Sequence, residues 1–202
     1  MSRAAAEEHK RQVIDNTSRL IRERGADQVS VPQAMAAAGL THGGFYRHFS
    51  SKDDLIAQAI TAAFAERSRA MEQLVDQVQA AGAHSAERSA RTTYLATYLS
   101  ELHRDHPAKG CAAAGLVVDA ARAEPGAPVR TAFTAGLRNL FDDFQRLDDN
   151  DDADTNRSLA LAELSTLVGA LLLARASDDA ALSRDILDAA RQYLNGRTGD
   201  SP

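Results

Sequence analysis

Residues 36–52, AAAGLTHGGFYRHFSSK, bring polar and cationic side chains together in one short segment. Tyr46 carries a hydroxyl group, Arg47 a guanidinium group and Lys52 an ammonium group, and each of these can donate hydrogen bonds to anionic oxygens. His48 adds a polar ring beside Arg47. Presented on one exposed face, such side chains could contact the phosphates and base edges of a nucleic acid.

Two adjacent glycines, Gly43 and Gly44, come directly before these side chains. Because glycine has no side chain, a helix that starts there could approach DNA closely and offer backbone N–H groups to a phosphate. Gly39 permits a tight turn before the segment, and Phe45 and Phe49 are spaced so that both can be buried on the inner face. We therefore expect one face that anchors the segment and another that is free for a partner.

Capping signals mark the helices that would position this segment. A capping box at Ser30 and Gln33 opens a short helix, which Gly39 ends after roughly two turns. Thr41 can then N-cap a second short helix. Two short helices joined through a glycine turn are typical of a helix-turn-helix, whose second helix lies in the major groove of DNA. The alternative is an αα-hairpin inside an ordinary helical protein, with the glycines acting only as breakers.

Helical periodicity extends over nearly the whole chain, and an alanine-rich composition with 5 prolines favours helix throughout. A second capping box, Ser51 and Asp54, opens a helix that runs to about residue 81; its length of roughly 40 Å indicates that it joins two bodies. A first helix is predicted over 13–21, closed by Gly25, and later helices at 94–106, 111–123, 128–144, 159–171 and 182–194. We expect an all-α fold of nine helices, with a helix-turn-helix DNA-binding domain at 1–50 and a helical ligand-binding and dimerisation domain at 51–202.

The charge of the chain is unevenly distributed. The net charge is −5, but residues 1–52 carry eight Lys and Arg against five Asp and Glu, a net +3, which leaves −8 on the remaining 150 residues. A basic head on an acidic body would confine DNA contact to one end of the protein.

Several features favour a cytoplasmic protein. Cys111 is the single cysteine, which excludes an internal disulfide framework and fits a reducing compartment. The first ten residues, MSRAAAEEHK, contain two glutamates and lack the apolar core of a signal peptide. An uninterrupted apolar run of the length that a membrane span needs, about 18–20 residues, is not found.

The segment SVPQAMAAAGLTHGGFYRHFSSKDDLIAQAI resembles the N-terminal signature of the TetR family of transcriptional regulators. The matching elements are the glycine in the turn, the aromatic-Tyr-x-x-Phe recognition helix and the Ser-Lys-acidic start of the connecting helix. The resemblance implies a three-helix DNA-binding head and a homodimer whose helices 8 and 9 pair in a four-helix bundle. It also implies a ligand cavity in the larger domain that controls the distance between the two heads. The expected function is that of a repressor released from a palindromic operator by a small molecule.

Carried over residue by residue, the resemblance implies a set of DNA contacts. Tyr46 and Lys52 match phosphate-contacting positions. The full set of expected DNA-binding residues is Ser30, Gln33, Thr41, His42, Gly43, Gly44, Tyr46, Arg47, His48 and Lys52. The chain departs from many family members at 42–44, where its side chains are few, so that specificity would depend more on Arg47, His48 and DNA shape.

The same resemblance places a ligand cavity among the fourth to seventh helices and the dimer interface on the last two. The expected ligand-binding residues are Phe64, Met71, Tyr94, Tyr98, Cys111, Val118, Phe133, Leu137 and Phe141. Two tyrosines and no evident buried Lys or Arg favour an uncharged, partly aromatic effector. The expected interface residues are Leu164, Leu167, Gly169, Leu171, Ile186 and Leu194. These positions are also apolar enough to form an ordinary core.

Two further groups of residues have the types that bind metals, but no metal or other cofactor is expected. Asp152, Asp154, Asn156 and Glu163 match positions of a calcium loop, but its turn glycine is replaced by Arg157. An acidic helix N-terminus accounts for them through the helix dipole. His103, His106 and Cys111 could be three metal ligands, yet a fourth ligand is not evident and solvated histidines at a helix end account for them as well.

Cys111 also permits an alternative function. The run KGCAAAGLVVDAAR resembles the start of helix 6 in some TetR members, including the electrophile-responsive repressor of N-ethylmaleimide reductase. A helix N-terminus and Lys109 would both favour the thiolate, whereas a small buried hydrophobe is the simpler role. An enzyme is not expected, because a nucleophile elbow, phosphate loop or catalytic carboxylate pair is not evident. The remaining alternatives are an electrophile-sensing repressor that uses Cys111, and a helical small-molecule-binding protein or enzyme without DNA function.

Overall fold

The computed structural model describes residues 3–83, 85–147 and 153–196, and these residues form helices and turns without a strand. The all-α fold predicted from the sequence is confirmed. The helices, with η marking 3₁₀ helices, are α1 (Arg3–Arg24), α2 (Val31–Ala37), η1 (His42–Arg47), α3 (Lys52–Ala80), α4 (Ala86–Tyr98), α5 (Glu101–Asp105), η2 (Pro107–Lys109), α6 (Ala112–Arg122), α7 (Pro128–Arg146), α8 (Ala153–Ala176) and α9 (Ala180–Gly196).

Two elements differ from the sequence prediction. The recognition segment is a 3₁₀ helix, η1, rather than an α-helix. The helix expected at 94–106 begins earlier and is interrupted at Leu99, after which Ser100 caps the separate helix α5 by accepting the N–H of His103 at 3.2 Å. A serine side chain that satisfies the first N–H groups of a new helix stabilises such a break.

The chain forms two compact units. The first consists of Met1–Arg67 and Pro107–Leu137, and the second of Ser68–His106 and Arg138–Pro202. The unit that contains the helix-turn-helix also contains α6 and the first part of α7. The functional domains expected at 1–50 and 51–202 stay a prediction. Two of the boundaries between the units lie within long helices, one after Arg67 in α3 and the other after Leu137 in α7.

The core of the first unit joins α1 to the helix-turn-helix. Val13 and Ile21 of α1 are fully buried, as are Met35 of α2, Phe45 of η1 and Phe49. The rings of Phe45 and Phe49 lie 5.4 Å apart, a distance at which aromatic pairs stabilise each other. The predicted spacing of apolar residues thus buries the inner face of the segment, as expected.

The core of the second unit centres on α8 and α9, consecutive helices that pack against each other. Buried leucines of both helices form it, namely Leu164, Leu167, Leu171, Leu187 and Leu194. By length and composition alone, α8 is apolar enough to cross a membrane, over Asp154–Ala176. Glu163 interrupts the apolar residues of this helix, so they do not form one continuous run. Its buried leucines give it the character of a core helix.

Candidate nucleic-acid interface

The start and end of α2 are built by local hydrogen bonds that the sequence predicts. Ser30 Oγ accepts the N–H of Gln33 at 3.4 Å, and Gln33 Oε1 accepts the N–H of Ser30 at 2.8 Å, which completes the capping box. Gly39 has a φ of +70°, the left-handed region that glycine adopts without strain. The N–H of Leu40 donates to the carbonyl of Met35 at 3.0 Å and so closes the helix end. These bonds fix the turn that leads into η1.

The short helix η1 presents different residues on its two faces. Phe45 is buried against the head, whereas the neighbouring Tyr46 is 76% exposed. Arg47 is exposed as well, and His48 is half-buried with its ring 6.2 Å from that of Phe49. The aromatic anchors therefore orient η1 so that the Tyr46 hydroxyl and the Arg47 guanidinium face away from the core of the unit.

The residues at the start of η1 leave open space. A Cβ atom added to Gly43 would have no heavy atom of the chain within 4 Å, and one added to Gly44 would make only an ordinary contact with Met35 at 3.8 Å. Neither glycine has a positive φ. Thr41 is exposed and its side chain makes no cap hydrogen bond, while the side chain of His42 lies outside the described residues. Packing inside the chain therefore does not require glycine at 43 or 44.

The turn from η1 into α3 is held by Asp54. Its Oδ2 accepts both the N–H and the Oγ–H of Ser50 at 2.9 Å, and its own N–H donates to Ser51 Oγ at 3.0 Å. The predicted capping box is thus shifted, since the carboxylate returns to Ser50 and not to Ser51. The Ser50 N–H, followed by the side-chain amide of Gln58, lowers the pKa of Asp54 from its usual value. At the start of α3, Lys52 Nζ donates to the carbonyl of Asp27 at 3.4 Å.

The expected ligand-binding residues are divided between the two units. The first unit contains Phe64, Cys111, Val118, Phe133 and Leu137, and the second contains Met71, Tyr94, Tyr98 and Phe141. Val118 is 50% exposed and so lies on the surface of α6 rather than in an enclosed space. Two cavities that each lie within one unit have volumes of about 320 Å³ and 290 Å³, and none of the nine residues lines either of them.

In the first unit, α3 and α7 meet at Phe64. Its ring contacts that of Phe133 edge to face, with centroids 5.6 Å apart. A Cβ atom built on Gly136 would lie only 2.2 Å from Phe64 Cδ2, so that glycine at 136 is what lets the ring occupy this position. These two phenylalanines, each almost fully buried, form a packed contact.

In the second unit, the two tyrosines of α4 belong to an aromatic cluster. Tyr94 packs edge to face on Phe144 at 5.2 Å and lies 5.7 Å from Tyr98. Tyr98 in turn contacts the ring of His103 at 4.6 Å, and His103 Nδ1 lies 2.7 Å from the Tyr98 carbonyl oxygen. Phe144 and His103 were not among the expected ligand-binding residues, although Phe144 continues the apolar spacing of α7.

The expectation of no buried arginine does not hold. Arg22 is buried in the first unit, where its Nη2 pairs with Glu66 Oε2 at 2.7 Å. Arg91 is buried in the second unit and pairs with Glu163 Oε2 through Nε at 3.0 Å and Nη2 at 2.7 Å. Each buried guanidinium thus has a carboxylate partner, as a buried charge requires. Both partners are remote in sequence, so spacing alone does not reveal them.

The expected dimer residues fall into two groups. Leu164, Leu167, Leu171 and Leu194 are buried inside the chain, whereas Gly169 and Ile186 are partly exposed. The leucines of the first group pack within their own chain. For those on α8 the sequence could not show this, because the helix is apolar all round and its spacing does not distinguish an inner from an outer face. The large apolar side chains that α8 and α9 leave exposed are Leu173 at 62%, Leu182 at 51% and Tyr193 at 59%. A Cβ atom on Gly169 would meet nothing within 4 Å.

The residues weighed as metal ligands have other partners. Asn156 Nδ2 donates to the Gln145 carbonyl at 3.1 Å and Glu163 binds Arg91, while Asp152 lies outside the described residues. His106 Nδ1 lies 2.8 Å from the Leu102 carbonyl oxygen. Cys111 is buried in a different unit from the two histidines. Within the described part of the chain, no group of three or more His, Cys, Asp or Glu could hold a metal ion.

Comparison with known proteins identifies the head. Residues 13–59 match the family model for bacterial regulatory proteins of the tetR family. A comparison with curated protein sequences finds no match. Solved structures of similar fold include the reduced form of NemR from Escherichia coli, at 16% identity and a TM-score of 0.74, with 94% of this chain and 96% of that chain covered.

A TetR transcriptional regulator from Chloroflexus aurantiacus is similar at 21% identity and a TM-score of 0.71, with 95% and 96% of the two chains covered. A TetR-family regulator from Cytophaga hutchinsonii is similar at 15% identity and a TM-score of 0.74, with 97% and 98% covered. At these identities the likeness is one of fold. Residues 13–59 thus match the DNA-binding region of the tetR family, and the chain has the fold of TetR-family regulators over nearly its whole length.

Proposed function

We propose that this protein is a TetR-family transcriptional regulator, a homodimeric repressor that binds a pseudo-palindromic operator and is released by a small-molecule effector. The observation that carries the DNA-binding part is the two-faced geometry of η1. Phe45 and Phe49 are buried below it, while Tyr46 and Arg47 point outward. The open space at Gly43 allows a DNA backbone to approach the start of this helix.

The DNA contacts are divided by role. Tyr46 and Lys52 bind phosphates and fix the register of the protein on DNA, and Ser30 and Gln33 at the start of α2 touch the backbone of the duplex. Arg47, with Thr41 and its neighbours His42, Gly43 and Gly44, faces the base edges, and His48 lies at the end of this face. Few side chains at 42–44 leave base discrimination mainly to Arg47 and to DNA shape.

Dimerisation uses the outer faces of α8 and α9. Leu173, Leu182 and Tyr193 support this proposal, because they are large apolar side chains that α8 and α9 leave exposed, and their burial against a partner would stabilise a dimer. Gly169 would let a partner helix approach closely. A two-fold dimer places two recognition helices about 34–36 Å apart, one turn of DNA, which requires half-sites of the same spacing.

The effector is proposed to be uncharged and partly aromatic, and the protein to act in the cytoplasm. The buried Arg91 does not change the first proposal, since Glu163 neutralises it and an anionic ligand would have to displace that carboxylate. Tyr94, Tyr98 and Phe144 are buried and pack on one another, so a planar ligand would have to enter this aromatic cluster to stack on its rings. Effector and operator binding then oppose each other reciprocally, typically by about 1–3 kcal/mol.

A selection from random duplexes tests the DNA-binding proposal. Purified protein and a library of duplexes with a randomised centre are carried through repeated rounds of binding and sequencing. We expect a pseudo-palindrome whose half-sites lie about one helical turn apart. Two variants that each lose one exposed hydroxyl group, Tyr46→Phe in the head and Thr92→Val in the body, separate the two regions: only Tyr46→Phe should weaken binding to DNA. An unpaired single site, or no enrichment, would refute the proposal.

A further inference from the structure

Three consecutive contacts join α6 to the end of α1 within the first unit. The carbonyl of Gly110, just before α6, accepts Arg22 Nη1 at 3.0 Å. One turn into α6, a Cβ atom on Gly115 would lie 3.2 Å from both the Cα and the carbonyl oxygen of Arg22. One turn further, Asp119 Oδ1 accepts the N–H of Ala26 at 2.9 Å. Residues 115 and 119 share one helical face, so α6 lies along α1 and the turn that follows it.

The contact at Arg22 joins three elements. The side chain of Arg22 is only 3% exposed. Besides the bond to Gly110, its Nε donates to the Ser18 carbonyl of its own helix at 3.1 Å, and its Nη2 pairs with Glu66 of α3. A planar guanidinium that makes three separate bonds allows little change in their relative directions. Arg22 thus fixes the end of α1 against α3 and the start of α6.

The contact at Asp119 stabilises the turn between α1 and α2, which leads into the helix-turn-helix. Ala26 is 5% exposed and follows Gly25, whose φ is +87°, in the turn that leads to α2. A buried backbone N–H requires a partner, and here the partner is a carboxylate 93 residues away in the chain. The conformation of the α1–α2 turn therefore depends on the position of α6.

We propose that Asp119 and Arg22 are positioning residues for operator recognition, because they fix α2 and η1 to α6. The inference rests on the proposed operator binding, in which these two residues set the orientation of the short helix η1. Base contacts require accurate placement of side chains, whereas phosphate attraction tolerates small rotations. A loosened α1–α2 turn should thus reduce the preference for operator over non-operator DNA more than it reduces DNA binding as such.

The test compares three variants of the full-length protein. Asp119→Ala removes the acceptor for the Ala26 N–H, and Asp119→Asn retains an oxygen in the same place. Glu124→Ala is the matched control, because Glu124 is exposed, carries the same charge and lines the same cavity beside α6. The probes are the selected duplex and a duplex of scrambled sequence, titrated at several salt concentrations. Hydrogen exchange of residues 26–37 and of α9 is measured on each protein without DNA.

For Asp119→Ala we expect the ratio of specific to non-specific affinity to fall at least tenfold and residues 26–37 to exchange at least tenfold faster, with α9 unchanged. Asp119→Asn and Glu124→Ala should stay within threefold of wild type in both measurements. An unchanged ratio in Asp119→Ala, an equal loss on both duplexes, or an Asn variant that behaves like the Ala variant would overturn the proposal. If the wild type selects no duplex, operator binding fails, and hydrogen exchange still decides whether Asp119 holds the turn.

Discussion

Replacement of Gly136 by alanine should destabilise the protein, although alanine is the better helix former. The added Cβ would lie 2.2 Å from Cδ2, 2.3 Å from Cγ and 2.8 Å from Cε2 of Phe64. Carbon atoms in contact are normally about 3.5–4.0 Å apart, so the ring would have to move by more than about 1 Å. The atoms concerned belong to the body of the ring, which is buried and packed on Phe133, and not to a flexible end.

Two effects of opposite sign decide the magnitude. The change from glycine to alanine inside a helix stabilises by about 1 kcal/mol. Forcing an extra carbon into a packed core costs about 1–3 kcal/mol, and the short distances at Gly136 place this site at the upper end of that range. The expected net result is a loss of about 1–2 kcal/mol in the free energy of unfolding.

Urea unfolding followed by circular dichroism at fixed protein concentration measures this loss. A double-mutant cycle with Phe64→Leu identifies its cause, because a smaller side chain at 64 should accept the new methyl group. The double variant should then lose at least about 1 kcal/mol less than the sum of the two single variants. A Gly136→Ala protein as stable as wild type, or strictly additive losses, would refute the reasoning.

Four further results are expected. Tyr46→Phe should weaken operator and non-operator binding alike, by about 1.5–3 kcal/mol, because one hydrogen bond to a phosphate is lost; weaker operator binding alone, in the same titration, would contradict the assignment. Leu173→Arg should fold, because Leu173 is exposed, and should sediment as a monomer, because the charge would lie in the proposed dimer surface, whereas Leu171→Arg should unfold the chain because Leu171 is buried. A Leu173→Arg protein that sediments as a dimer would show that the interface lies elsewhere. Thr17→Val should raise the free energy of unfolding by about 1 kcal/mol, since Thr17 is fully buried and its hydroxyl has no partner within the described residues; a less stable valine variant in urea would indicate a bound water at this site. Cys111 should react with Ellman's reagent far more slowly in the native protein than in guanidinium chloride, because it is 1% exposed; rapid native reaction would support electrophile sensing, and release of DNA by an electrophile from wild type but not from Cys111→Ser would establish it.

The sequence by itself determined the local structure of the head. The capping box at Ser30 and Gln33, the glycine turn at Gly39 and the long helix that starts at Lys52 depend on residues three or four positions apart. Such signals act through hydrogen bonds and backbone sterics within one turn, and they need no information from the rest of the chain. The alternating burial of Phe45 and exposure of Tyr46 followed from the same short-range spacing.

Only the tertiary structure decided which apolar residues face inward. On α8, Leu171 and Leu173 are both leucines two positions apart, yet one is buried and the other is 62% exposed. Because this helix is apolar on every side, its sequence does not show which face is buried. The packing of α9 against it decides which face is the inner one. Val118 was expected in a cavity and lies on the surface for the same reason: a hydrophobic side chain does not by itself state what covers it.

The long-range polar contacts were likewise decided by packing. Arg22 meets the Gly110 carbonyl across 88 residues of sequence, and Asp119 meets the Ala26 N–H across 93. In the sequence, Arg22 and Asp119 look like ordinary charged residues of two helices. Their roles become visible only when the fold shows the remote groups that they bond. The fold brings these partners together because Gly115 allows α6 to lie directly on the backbone of α1. This close approach lets α6 bond to both the end of α1 and the turn that leads into the helix-turn-helix.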